Sequence, residues 1–264
     1  MSLPFQIPET PAQIKAALAV VEEELERRHQ DSRIQHESIW LMQNFKEFVK
    51  AAWNELEPLN VFMHNWHIDA IADHLEAISK SEIRRLQIWL PPGHMKSRLV
   101  SVLWPAWEWT HSPGMKYWTG SYDIRLAKEL ASYSRDLMRT DWYQDRWGTM
   151  FNFKKTMEEW YTNDQGGHRL STSPDSSGLG VHGHRIIIDD GVSAGDAGAV
   201  TMAMLERANS WYSDTMSGRG LPGYAEVIIM QRLHEKDLAA HALQFGDWEV
   251  LCLPEVYERN HPFV

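Results

Sequence analysis

Two short stretches of this chain carry side chains that could handle a phosphate group together. One is Leu90-Pro91-Pro92-Gly93-His94-Met95-Lys96-Ser97, and the other is Ile186-Ile187-Ile188-Asp189-Asp190-Gly191. Lys-Ser after a turn is the ending of a phosphate-binding loop, where backbone amides and an ammonium face the anion and the hydroxyl holds a divalent cation. Leu90 and Met95 occupy the two glycine positions of the standard G-x-x-x-x-G-K-[ST] pattern, so this stretch alone reads equally well as a Pro-Pro turn opening a helix. The second stretch tips that balance. A β-branched run ending in two aspartates puts carboxylates at the carboxyl end of a buried strand, where open α/β sheets bind ligands. Alone, the aspartates could simply cap a turn. Paired with the loop they complete a Walker A and Walker B set for phosphoryl chemistry. Lys96 would neutralise β- and γ-phosphate charge, Ser97 and Asp189 would hold Mg2+, and Asp190 would orient the attacking water.

Such a site needs a strand ahead of each stretch and a helix behind the first. Thr10 followed by Pro11, with Ile14, Leu18, Val21 and Leu25 at helical spacing, predicts a first helix to about Gln30. A second apolar pattern, from Trp40 to Leu56, ends at Pro58, and a third helix starts at Asn65 with Ile68, Ile71, Leu75 and Ile78 on one face. A strand lies within "EIRRLQIWLPPG", with a helix after Lys96, a strand over Met115 to Ser121, and a helix capped by Asp123. Gln165-Gly166-Gly167 signals a hairpin. After the Asp pair come a helix from Val200 to Met216, a strand "AEVIIMQR", a helix from Lys236 to Leu243 and a strand "WEVLCLP". Strands alternating with helices predict an α/β fold with a mainly parallel central sheet flanked by helices.

Composition narrows the classes. With 26 Lys and Arg against 36 Asp and Glu, the net charge of -10 excludes a protein that coats nucleic acid over its whole face, so any DNA contact is local. The small basic sets Arg84-Arg85, Arg135 with Arg139, and Lys154-Lys155 read as solvated surface. The 13 tryptophans mostly fall in apolar patterns and point to packing. Cys252 is the only cysteine, which excludes a disulfide framework or a thiolate-rich metal site and suits a reducing compartment. No apolar run reaches the roughly 18 residues of a membrane span, and "MSLPFQIPET" lacks the charged start and apolar core of an export signal. His168, His182 and His184 match no standard metal spacing, and "LHEKDL" lacks the second histidine of a zinc protease helix.

From about Trp66 to Pro254 an ordered set of features resembles the ATPase domain of the large terminase subunit of tailed phages. They are "NWHIDAIADHL", "LPPGHMKS", "WPAWEW", "GSYDIRLAKELASYSRDL", "GLGVHGHRIIIDDG", "ERANSWYSDTMSGR", "VIIMQRLHEKDL" and "WEVLCLPEVYE". The resemblance implies a P-loop NTPase of the additional-strand type, using ATP and Mg2+ to drive double-stranded DNA into a procapsid. Its partners would be the portal, a terminase small subunit and further copies of itself in a ring, with a monomer in isolation, no membrane, and the host cytoplasm as its location. Trp66 and His67 fall where the family contacts adenine. Pro92, Gly93, His94, Met95, Lys96, Ser97 and Arg98 fall on its nucleotide loop, where relatives carry Gly or Ala at the Met95 position. Asp189 matches the magnesium carboxylate, Asp190 stands where many relatives carry the catalytic glutamate, and Met230-Gln231-Arg232 matches the segment that couples γ-phosphate loss to motion. A Gln-Arg pair ending an apolar strand beside the Asp pair suits such a sensor on physical grounds as well, though an exposed strand end is the plain alternative. Arg125, Arg135, Arg139 and Arg219 are candidates for an arginine finger acting in trans, and Arg125 is preferred because it closely follows the second strand.

The expected organisation is an N-terminal helical appendage over 1–60, a P-loop ATPase domain over 61–253, and the start of a linker over 254–264. That linker leads toward a nuclease domain absent from this chain, so no nuclease activity is expected of it. Two rivals share the motifs: a helicase-like or remodelling ATPase, and a weakly catalytic nucleotide-binding assembly module.

Overall fold

Thr10 opens the first helix with a capping box. Its hydroxyl accepts from the Gln13 amide at 3.3 Å, and the Gln13 side chain accepts from the Thr10 amide at 3.0 Å. The computed structural model describes residues 10–148, 155–156, 160–176, 180–193 and 199–256, so the expected export-free start, Lys154 and the end of the expected linker lie outside the described residues.

Helix α1 (Pro11–Gln43) runs well past the expected end near Gln30. Residues 31–43 contain no Pro or Gly to stop it, and Ser38 and Leu41 are buried at its far end. Asn44, with φ -135° and ψ 95°, breaks the chain into α2 (Phe45–Leu56), so Trp40 and Leu41 close the first helix and do not open the second. Phe45, Phe48, Val49 and Ala52 of α2 are buried in the same core as α3 (Trp66–Ser79) and strand β1 (Arg85–Trp89), across the expected boundary at residue 60.

The helix expected after Lys96 begins as a π-helical turn, Arg98–Leu103, before α4 (Trp104–His111). Pro105 explains the wide turn. It has no N–H to offer the carbonyl four residues back, that of Ser101, and its ring would clash with that carbonyl in an α-helix. The Trp104 amide instead bonds the Leu99 carbonyl five residues back.

The remaining elements are β2 (Lys116–Gly120), α5 (Ile124–Leu137), α6 (Asp141–Trp147), β3 (Lys155–Thr156), β4 (Trp160–Thr162), β5 (His168–Thr172) and β6 (Gly183–Asp189), of which α6 and β3 are not among the expected elements. Then come α7 (Met202–Trp211), β7 (Gly220–Met230), α8 (Leu238–Ala242) and β8 (Glu249–Cys252). The expected helix over Val200 to Met216 changes into a π-turn at Tyr212, and β7 stops at Met230, leaving Gln231 and Arg232 in the following loop. The sheet has the order β3-β4-β5-β2-β6-β7-β1-β8, antiparallel only where β4 meets β3 and β5. Strand β7 is inserted between β1 and β6, as the expected additional-strand arrangement requires.

Side chains alternate across this sheet into two cores. Leu86, Ile88, Tyr117, Ile187, Val227 and Ile229 face α2 to α4, while Trp89, Trp118, Ile186, Ile188, Ile228 and Met230 face α7 and α8. Tryptophans fill much of the space, with Trp104, Trp109, Trp118 and Trp147 fully buried. One charged pair lies inside as well. The Arg185 guanidinium meets the Glu108 carboxylate at 2.5 Å, and the Tyr117 hydroxyl donates to the same carboxylate. Burial pushes the Tyr117 phenol well above its ordinary range, so it stays a donor.

Candidate active site

The parallel register brings three strand ends to one level: Trp89 pairs with Met230, and Asp189 with Ile229. The loop after β1 and the Asp pair after β6 therefore emerge at the same edge, which is the carboxyl edge where such sheets hold ligands.

The expected phosphate loop, residues 90–97, contains two left-handed backbone positions. Gly93 has φ 81°, and Met95 has φ 61°, so a methionine adopts the left-handed backbone that the pattern reserves for glycine. A side chain there costs about 1–2 kcal/mol. The Met95 side chain packs against the core that contains α2 and α3, and the Met95 carbonyl accepts from the Leu99 amide at 2.9 Å. Burial of the thioether offsets the backbone strain, and the loop keeps its shape without its glycine.

Lys96 and Ser97 each reach one aspartate. The Lys96 ammonium lies 2.6 Å from Asp190 Oδ2, and the Ser97 hydroxyl donates to Asp189 Oδ1 at 2.8 Å. A third residue joins them: the Ser101 hydroxyl donates to Asp189 Oδ2 at 2.6 Å. Sequence spacing had signalled Ser97 but not Ser101, although a second serine four residues along the same helix was visible. Asp189 is only 2% exposed. Burial, and next the charge of Asp190, push its carboxyl up to about 6 from an ordinary 3.8, against the opposing pull of Ser101, Ser97 and Lys96.

Asp190 also sits in the left-handed region, with φ 47°, a conformation that aspartate tolerates better than most residues. Its amide donates to the Ile229 carbonyl at 2.8 Å and its carbonyl accepts from the Tyr122 amide at 3.1 Å, which fixes the bend. The Gln231 amide donates to Asp190 Oδ1 at 3.4 Å, so the expected sensor segment touches the second aspartate through its backbone. Arg232 is held at 2.9 Å by the fully buried carboxylate of Asp237 and lies 4.4 Å over the Trp89 ring, directly behind the phosphate-loop strand.

Trp66 and His67 open α3 beside the loop. The His67 ring lies 5.5 Å from that of His94, while Trp66 is 64% exposed. Burial, with His94 close by, holds the His67 imidazole below its ordinary value and therefore neutral at pH 7. The His94 ring nitrogen lies 2.9 Å from the Pro92 carbonyl. Arg98 points the other way, bonding Glu57 at 3.0 Å and stacking 3.8 Å over the Tyr133 ring, so its guanidinium ties the loop helix to α2 and α5. Three of the four finger candidates have contacts of their own. Arg125 is 88% exposed and pairs with Asp123 at 2.7 Å, Arg135 pairs with Asp136 at 3.2 Å, and Arg219 lies 5.5 Å over Trp118.

The donor chemistry fits Mg2+. The Ser97 hydroxyl and the buried Asp189 carboxylate are hard oxygen donors, and Mg2+ ordinarily takes one or two protein oxygens and completes its shell with water and substrate phosphates. Among the described residues no cluster of three or more His, Cys, Asp or Glu could hold a metal ion. Among these residues no helix is long and apolar enough to cross a membrane.

No protein-family profile and no curated protein matches the chain. Solved structures similar to it include the ATPase domain of the Thermus phage P74-26 large terminase, at 13% identity and a TM-score of 0.42 over 67% of this chain and 67% of that one. The HK97 bacteriophage large terminase aligns over 82% of this chain and 45% of its own, at 12% identity and a TM-score of 0.49. The large terminase of another thermophilic bacteriophage, solved in complex with ADP, aligns over 68% of this chain and 44% of its own, at 10% identity and a TM-score of 0.42.

Proposed function

We propose that this chain is the ATPase motor domain of a phage terminase large subunit, hydrolysing ATP to move double-stranded DNA into a procapsid. The observation that carries the ATPase reading is the double junction at one sheet edge: Lys96 on Asp190 and Ser97 on Asp189. The motor reading rests on the order of motifs along the chain.

The amides after Gly93 and the Lys96 ammonium would bind the phosphate chain, with Arg98 bracing the helix behind them. Trp66 and His67 would flank the base, where a neutral imidazole and an indole face offer stacking surfaces. Ser97 and Asp189 would hold Mg2+, which would supply charge neutralisation on the phosphates. A phosphate at Lys96 competes with Asp190 for the ammonium. As the ammonium turns to the phosphate, the Asp190 carboxylate becomes available to accept from a water and align it for in-line attack. The Gln231 amide on that carboxylate would register the change, and Arg232, locked to Asp237, would pass it to the loop before α8. A guanidinium from a neighbouring copy, with Arg125 the preferred source, would stabilise the transition state.

Packaging tests this reading. With procapsids, small subunit and the remaining large-subunit segments supplied, wild-type chain should protect linear DNA from nuclease in an ATP-dependent way, and Lys96→Ala should not. Strand separation without procapsids would favour the helicase-like rival. Nucleotide binding without turnover, with or without DNA, would favour the assembly module.

A further inference from the structure

A buried serine in a helix ordinarily returns its hydroxyl to the carbonyl four residues back, as Ser38 does to Ile34 at 2.6 Å. Ser101, 1% exposed, instead spends its hydroxyl on Asp189 Oδ2 at 2.6 Å. Ser97 holds the other oxygen, Oδ1, at 2.8 Å. The two serines sit four residues apart, which in an α-helix leaves them about 40° out of line. The π-turn over Arg98–Leu103 widens the helix between them, and Pro105 imposes that turn at the Ser101 carbonyl.

We infer that Ser101 is a positioning residue for the divalent cation: with Ser97 it clamps both oxygens of Asp189, fixing the carboxylate plane so that Oδ1 stays presented on the cation side. This rests on the reading of Ser97 and Asp189 as the Mg2+ site. Ser101 itself touches neither cation nor nucleotide. Without its hydroxyl, Oδ2 would lose a charge-assisted donor in a site closed to water, and the carboxylate would be free to rotate.

The test is a titration of the full chain with a fluorescent ATP analogue, at Mg2+ concentrations from none to saturating, for wild type, Ser101→Ala and Ser101→Thr. Direct Mn2+ binding in the presence of nucleotide, read by electron paramagnetic resonance, serves as a second readout. Ser101→Ala should raise the Mg2+ concentration for half-maximal binding about tenfold and weaken Mn2+ binding alike, with metal-free nucleotide affinity within about twofold of wild type. Ser101→Thr, which keeps the hydroxyl, should restore most of the loss. Unchanged metal dependence in Ser101→Ala, or equal losses with and without metal, overturns the role of Ser101 alone. A wild-type chain that binds no nucleotide overturns the reading of the site itself.

Discussion

The Lys96 ammonium lies 2.6 Å from the Asp190 carboxylate, joining the loop after β1 to the turn after β6 across the strand inserted between them. Neither group is fully buried, at 11% and 24% exposure of their side chains, so both can exchange partners without crossing a dry core. On the proposed function, that makes the pair a contact to be replaced during turnover and not a permanent brace.

Met95 bears the backbone strain of the loop. Met95→Gly should remove a left-handed penalty of about 1–2 kcal/mol while losing thioether burial of similar size, so the melting temperature should move little and nucleotide affinity should persist. Met95→Val places a β-branched residue at φ 61° and should lower both. Thermal melts and nucleotide titrations of the two variants check this; equal behaviour of Gly and Val would contradict it.

Asp189 gives the fold a pH signature. Its folded value of about 6 lies above its ordinary 3.8, so the stability it contributes is fully present below the ordinary value and is lost as pH rises through the folded one. Asp189→Asn should gain on wild type between roughly pH 4 and 6, by on the order of 3 kcal/mol. Denaturant unfolding across that window, with Mg2+ omitted, measures the difference. A gap that stays constant with pH would count against it.

Arg185 and Glu108 form a buried pair far from water, and removing one partner strands the other's charge. Arg185→Ala should cost about 3–5 kcal/mol of unfolding free energy, well beyond a typical surface change. Equilibrium unfolding gives the number, and a loss under about 1 kcal/mol would show that the pair is not shielded as described.

Arg232 is tied to the fully buried Asp237 and stacked on Trp89, and the neighbouring Gln231 amide touches Asp190. Arg232→Ala should loosen that loop and lower kcat more than it raises KM for ATP, because the contact it supports is to Asp190 and not to the base. Steady-state kinetics separate the two, and a pure KM effect would contradict the arrangement.

Much of this was legible in the residues. The β-branched run into Asp189-Asp190 and the alternation of Leu86 and Ile88 with Gln87 and Trp89 determine strands, faces and the edge where the site lies. What stayed hidden depends on long-range geometry. The sequence holds no stop signal near Gln30, yet only burial of Ser38 and Leu41 shows why the helix persists to Gln43. The π-turn needed Pro105 to be read against the carbonyl of Ser101, and Ser101 counts as a site residue only once β6 brings Asp189 to it. Arg98, adjacent to Ser97 in the chain, turns to Glu57 and Tyr133 because α2 and α5 lie on that side of the helix.

Phosphate release from ATP and Mg2+ is the most direct measurement, compared among wild type, Lys96→Ala and Asp190→Ala with thermal melts to confirm folding. Wild type should turn over ATP, and each variant should lose about 100-fold or more while remaining folded, because on the proposed mechanism Lys96 neutralises the phosphate and Asp190 aligns the attacking water. Folded variants that hydrolyse ATP at the wild-type rate would contradict the assignment of this site.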